Sequence, residues 1–161
     1  LSLARVGHPS DRHEKSELSA LVASVVEEYE DIGENVELGE AARTVLMLRP
    51  TWLRRALRNL IGNALRYGKV ARVSVERDEA QVTIRIDDDG PGIPDADIAR
   101  MQEPFTRGDP SRNSSTGGSG LGLALARAIA EQHGGALMIE NRIGSYGMVA
   151  GLTARLTLPL V

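Results

Sequence analysis

Residues 87–123 hold most of this chain's capacity for chemistry. Asp87, Asp88 and Asp89 run into Gly90-Pro91-Gly92-Ile93-Pro94, and after a polar stretch Gly117-Gly118-Ser119-Gly120-Leu121-Gly122-Leu123 opens an apolar-periodic run to Gln132. Glycine lets the backbone take positive φ and lets a ligand come close to the main chain. Free N–H groups at a helix start, backed by the helix dipole, attract phosphate oxygens, and residues 118–122 ahead of a helix over 121–132 supply that arrangement. A buried carboxylate at the first cluster could accept a hydrogen bond from an adenine amino group. It would disfavour guanine, because the wrong base leaves buried polar groups unpaired. The stretch therefore suggests a purine-nucleotide site. Alone, Asp-x-Gly-x-Gly is a weak signal, and a charged hairpin turn followed by a glycine-rich linker reads the same way.

A second constellation lies on a helix expected over residues 51–67, with Thr51 as N-cap and Gly68 as terminator. At about 100° per residue, Leu53, Leu57, Leu60, Ile61, Ala64 and Leu65 gather on one arc, with Asn59, Asn63 and Arg66 roughly opposite. A solvated helix face produces that pattern too. Two Asn four apart with Arg66 beyond them also put amide oxygens and a cation on one stripe, which suits a Mg²⁺ ion and the phosphates it bridges.

The remaining elements follow from periodicity. Leu18, Leu21, Val22, Val25, Val26, Tyr29 and Ile32 recur at helical spacing and stop near Gly33. Residues 36–38 and 44–48 are short strands, the second ended by Pro50; 70–76 and 81–87 form a hairpin that delivers Asp87 to the Gly90 turn. A short helix is expected over 95–101, and strands over 136–140 and 149–158. Residues 1–17 are polar and read as a linker or the frayed end of a preceding element. The mixture of hairpins and helices predicts an α+β fold, a two-layer sandwich with helices on one face of a mixed, mostly antiparallel sheet.

Composition excludes several classes. At 161 residues, with 42% hydrophobic and 25% charged, the chain suits one soluble globular domain. A net charge of −3 offers no electrostatic case for a nucleic-acid partner. Without cysteine there are no disulfides or thiolate metal sites, which fits a reducing compartment. No apolar run reaches membrane-spanning length and no signal peptide stands at the start. The first residue, Leu1, is not Met, so a fragment of a longer protein is expected.

Four segments carry a family resemblance. Asn59-Leu60-Ile61-Gly62-Asn63-Ala64-Leu65-Arg66-Tyr67-Gly68, Asp88-Asp89-Gly90-Pro91-Gly92-Ile93, Glu103-Pro104-Phe105-Thr106-Arg107-Gly108 and Gly118-Ser119-Gly120-Leu121-Gly122-Leu123 resemble, in order and spacing, the four ATP-site boxes of sensor histidine kinases, most nearly of the EnvZ type. The resemblance covers about residues 18–160 and implies the ATP-binding fold shared by the GHKL superfamily of gyrase, MutL and heat-shock chaperones. Carried over, Asn63 would bind Mg²⁺ with Asn59 in support, and Asp88 would read the adenine amino group. Gly90, Gly92 and Ile93 would shape the base pocket. Gly118, Ser119, Gly120, Leu121, Gly122 and Leu123 would form the phosphate loop, though Leu123, with Leu125 and Ile129, also reads as core. Arg66 and Tyr67 would touch phosphate and nucleotide, while Phe105 and Arg107 would begin a lid over residues 106–119, expected to be poorly ordered without nucleotide.

The resemblance also implies a mechanism and partners. Hydrolytic superfamily members carry a general-base Glu four residues before the metal Asn. Here Asn59 stands in its place, as suits a kinase that keeps ATP for a histidine, with Arg66 and Arg107 neutralising charge. The expected cofactors are ATP and Mg²⁺. The expected partners are a histidine-bearing dimerisation domain outside this chain and a response regulator, in the cytoplasmic part of an inner-membrane sensor; the fragment should be a monomer and the parent a homodimer. His13-Glu14 lacks the Pro that follows a family phosphoacceptor, and His133 reads as a cation on a helix C-terminus. Asp87 and Asp89 read as solvated neighbours of Asp88. A non-catalytic nucleotide sensor and an anti-sigma-type serine kinase on the same fold are the alternatives.

Overall fold

The computed structural model describes residues 12–101 and 119–160. In chain order the elements are β1 (Glu14–Glu17), α1 (Leu18–Asp31), β2 (Val36–Ala41), β3 (Val45–Leu48), α2 (Pro50–Gly68), β4 (Ala71–Arg77), β5 (Gln81–Asp87), α3 (Asp95–Met101), α4 (Ser119–Gln132), β6 (Ala136–Ile143) and β7 (Val149–Pro159). Five strands form one sheet in the order β2-β4-β5-β7-β6. Only β2 and β4 are parallel; the other neighbours are antiparallel. The expected mixed, mostly antiparallel α+β architecture is therefore present.

Alternation along the strands sorts the sheet into two faces. Register places Val73 opposite Ile86, Val75 opposite Ile84, and Ile84 and Leu137 opposite Leu156 on one face. These side chains are buried beneath the helices, with Leu53, Leu57 and Ile61 of α2, Val22 and Val25 of α1, and Ala126 and Ile129 of α4. Each Val, Leu or Ile among them contributes about 1.5–3 kcal/mol on removal from water. The other face is polar, with Arg72 opposite Asp87 and Ser74 opposite Arg85. Helix α2 lies across the middle of the core, against both α1 and α4, and carries Asn63 and Tyr67 toward the end of β5.

Three local expectations are corrected. Residues 14–17, read as linker, form strand β1, paired antiparallel with β3. Glu17 ends that strand and caps α1: its carboxylate accepts from Ser19 N (2.9 Å), Ala20 N (3.1 Å) and Thr44 N (2.8 Å). Helix α2 starts two residues earlier than a Thr51 cap would place it, with Arg49 as N-cap and Pro50 in the first turn, where a missing N–H costs nothing. At the far end, Gly68 is the last helical residue and Lys69 takes the left-handed conformation (φ 66°). The glycine therefore serves space and not the turn.

Candidate functional site

A cleft of about 210 Å³ opens between α2, the turn after β5, α3, α4 and β7. Helix α2 contributes Asn63 and Tyr67, and the turn that follows β5 contributes Asp88, Gly90, Pro91, Gly92 and Ile93. Leu123 of α4 closes it against Leu152 and Ala154 of β7. Seven of the residues expected at a nucleotide site thus meet in one place, from three stretches far apart in sequence.

Asp88 is the buried member of the carboxylate triplet, 5% exposed. Its Oδ1 accepts from Gly90 N (2.9 Å) and Leu152 N (3.1 Å), and its own N–H donates to Leu152 O (3.0 Å). Oδ2 has no hydrogen-bond partner among the described residues, and Asp88 lines the cleft. Burial raises this carboxyl above its ordinary value of 3.8, opposed by the two N–H donors and Arg142. The result is a desolvated acceptor with one oxygen fixed and the other available.

Asp87 and Asp89 are not simply solvated. Asp87 accepts from Arg85 Nε (2.9 Å) and from the Thr153 hydroxyl, while Asp89 pairs with Arg72 and Arg142. The Arg72 guanidinium first, and Arg142 as well, hold Asp89 below the usual carboxylate range. These ion pairs lie on the open face of the sheet and leave Asp88 as the sole carboxylate of the triplet that lines the cleft.

Asn63 departs from the solvated face that periodicity alone suggests. It is half-buried, because α4 covers that side of α2, and a Cβ built on Gly122 would lie 3.5 Å from Asn63 Nδ2. That amide nitrogen is buried without a partner among the described residues. Asn59 and Arg66 do not line the cleft; Arg66 is exposed, its guanidinium 5.3 Å from the Tyr67 ring centre. Helix α4 begins at Ser119, so Gly120 and Gly122 fall in its first turn, where N–H groups lack intrahelical partners. Ser119, Gly120 and Leu121 are placed there by their backbone only. Phe105, Arg107, Gly118 and most of the expected lid lie outside the described residues.

Sequence reasoning missed two side chains that shape the turn. Asn141 Oδ1 accepts from Ile93 N (2.9 Å) and its Nδ2 donates to Ile93 O (2.7 Å). Arg142 Nη2 donates to Asp88 O (2.8 Å) and to Asp89 Oδ1 (2.9 Å). Their adjacency on β6 is visible in sequence, but their partners lie about fifty residues away, so no local signal marks them.

His133 is not a cation on the helix dipole. Its Nδ1 lies 2.8 Å from Ile129 O and its Nε2 accepts from Arg49 N (3.0 Å), which fixes the neutral tautomer with the proton on Nδ1. Burial is the largest cause of its lowered pKa. It ties the end of α4 to the start of α2. His13, exposed, stands edge-on to it at 6.0 Å.

Known proteins resemble this chain in sequence and in fold. A family model described as histidine kinase-, DNA gyrase B-, and HSP90-like ATPase matches residues 48–161. The sensor histidine kinase GtrS of Pseudomonas aeruginosa is 37% identical over 153 residues, covering 93% of this chain and 30% of GtrS. The chain thus spans less than a third of that relative. The ATP binding domain of PrrB from Mycobacterium tuberculosis superposes with a TM-score of 0.72 at 28% identity, covering 94% of this chain and 99% of that one. The histidine kinase domain of the E. coli osmosensor EnvZ gives 0.68 at 30%, covering 93% and 90%. With most of its length matched by the one family model, the chain belongs to the histidine kinase-, DNA gyrase B- and HSP90-like ATPases, and among them it is of the sensor histidine kinase type.

Proposed function

We propose that this chain binds ATP with Mg²⁺ in the cleft and donates the γ-phosphate to a histidine on a dimerisation domain of its parent protein, which passes it to a response regulator. The observation that carries the reading is Asp88: a desolvated carboxylate with Oδ1 held by two main-chain donors and Oδ2 available to an adenine amino group. Gly90, Gly92 and Ile93 form the wall against which the base packs, and Tyr67 flanks it. The phosphates then extend toward the first turn of α4, where the free N–H groups of Ser119, Gly120, Leu121 and Gly122 favour anions; Gly118 before it in the sequence and Leu123 after it complete the loop in this reading. Arg66, beside the cleft, and Arg107 and Phe105 in the segment before α4, complete the phosphate end in this reading.

The donor set fits Mg²⁺. No group of three or more His, Cys, Asp or Glu suited to a metal occurs among the described residues. A single neutral amide oxygen from Asn63 matches an ion that keeps its waters and takes the rest of its ligands from phosphate. Asn63 Nδ2 is buried without a partner among the described residues, and because the amide's N and O positions interchange by rotation, the ligating oxygen can take that place when the ion binds. Mg²⁺ held there supplies charge neutralisation to the phosphates. Asn59, whose amide cannot take a proton, supports Asn63 without activating water.

Residues 18–161 form the ATP-binding domain in this reading, with residues 1–17 leading from the dimerisation element, although β1 already belongs to the fold. No described helix is long and apolar enough to cross a membrane. We place the domain on the cytoplasmic side of an inner-membrane sensor, monomeric as a fragment and part of a homodimeric parent. Incubation with radiolabelled ATP, Mg²⁺ and a separately supplied acceptor domain tests the transfer. An acid-labile, base-stable label on the acceptor is expected; an acid-stable label, or none despite ATP binding, contradicts it.

A further inference from the structure

We propose that Asn141 and Arg142 are positioning residues for adenine recognition, gripping the 88–93 turn from the two faces of the sheet. This rests on the nucleotide reading of the cleft. Neighbours on a strand point to opposite faces. Asn141, opposite Leu152 in the β6–β7 register, shares the helix-covered face with Leu137 and Ile139, and Arg142, opposite Gly151, takes the open face.

The turn needs an external hold. Pro91 and Pro94 have no N–H to donate, so the wall beyond Gly90 can make few main-chain bonds of its own. Asn141 supplies them: one amide accepts from Ile93 N and donates to Ile93 O, as a neighbouring strand would. Gly92 makes room. Its φ is +75°, and a Cβ there would lie 2.2 Å from Asn141 Oδ1.

Arg142 fixes the other end. Its Nη2 donates to Asp88 O and Asp89 Oδ1 and lies 3.3 Å from Ala150 O, joining the recognition carboxylate's own main chain to β7. Gly151 is the clearance for this contact, since a Cβ would sit 1.9 Å from Asp88 O and 2.6 Å from Arg142 Nη2. Neither side chain lines the cleft. Their effect on a base is exerted through Asp88 and the Ile93 wall, by holding the turn in its binding geometry before the ligand arrives.

The test compares wild type, Asn141→Ala and Arg142→Lys. Calorimetric titration with ADP·Mg²⁺ is read beside amide hydrogen exchange of the nucleotide-free chains. Asn141→Ala is expected to weaken ADP about tenfold, because binding must then order a turn that two hydrogen bonds no longer hold. It should raise exchange at Ile93 while leaving Val75 and Ile84 in the sheet as slow as in wild type. Arg142→Lys keeps the charge but loses the guanidinium Nη2 that reaches Asp88 O, Asp89 Oδ1 and Ala150 O together, and should weaken ADP severalfold. ADP affinity unchanged in both variants overturns the clamp alone. Faster exchange throughout the sheet, in step with lost affinity, also overturns it, because that is a general structural role. If Asn141→Ala does not fold, Arg142→Lys decides by the same two readouts. Failure of wild type to bind ADP overturns the nucleotide reading, and the clamp with it.

Discussion

Gly68 and Asp88 touch so closely that a Cβ on residue 68 would lie 2.3 Å from Asp88 Cβ and 2.6 Å from its Oδ1. The last turn of α2 and the end of β5 are therefore locked together where the carboxylate meets the cleft. Helix propensity alone favours Gly68→Ala by about 0.5–1 kcal/mol. The contact reverses the sign: overpacking of this kind costs about 1–3 kcal/mol. Thermal or denaturant unfolding should show Gly68→Ala less stable than wild type, with nucleotide affinity lowered. A stabilised variant would show that the carboxylate can move aside freely.

Asp88 also sets a pH dependence. Its folded pKa is raised by burial above 3.8, so its contribution to stability is fully present below that value and is lost as pH rises through the folded pKa. At neutral pH the nucleotide-free protein therefore bears the cost of a buried charge. Asp88→Asn, whose Oδ1 can still accept from Gly90 and Leu152, should melt no lower than wild type at pH 7. In wild type, ATP affinity should fall on acidification as the carboxylate takes up a proton.

Glu17 works in the opposite direction. Burial opposes ionisation, but donors from the Ser19 hydroxyl, Thr44 N, Ser19 N and Ala20 N hold its pKa down to about 2, from an ordinary 4.5. The stability it contributes is present above pH 4.5 and is lost as pH falls from there toward 2. Glu17→Ala removes the cap of α1 and the tie to Thr44, at ~1–2 kcal/mol. Acid unfolding curves of the two proteins should differ at pH 6 and converge near pH 2.

His133 gives a third signature. Protonation would place a second N–H on Nε2, facing the Arg49 N–H it now accepts. Its pKa is lowered from 6.5, so the associated stability is complete above 6.5 and declines as pH falls below it. An NMR titration should find its midpoint below that of a free imidazole. A midpoint at or above 6.5 would restore the helix-dipole cation.

Much of the frame is legible in the sequence because it repeats locally. The period-2 alternation of β4 and β5 and the apolar stripes of α1 and α2 each carry their own signal. Strand β1, Glu-Lys-Ser-Glu, has no apolar alternation and exists only because β3 lies beside it. A helical wheel places Asn63 opposite the core stripe but cannot show that α4 covers that side. Gly68 looks like a terminator because the sequence does not reveal that Asp88 packs there, leaving Lys69 to turn the chain. Asn141 and Arg142 bond mainly to main-chain atoms, which any residue type presents, so neither leaves a pattern.

Calorimetric titration with a non-hydrolysable ATP analogue, with and without Mg²⁺, on wild type and Asp88→Asn, would be decisive for the adenine site. Saturable binding by wild type, strengthened by Mg²⁺ and abolished in a folded Asp88→Asn, is the expected result. Equal binding by both proteins, or none by wild type, would contradict the assignment of Asp88 as the adenine-reading group.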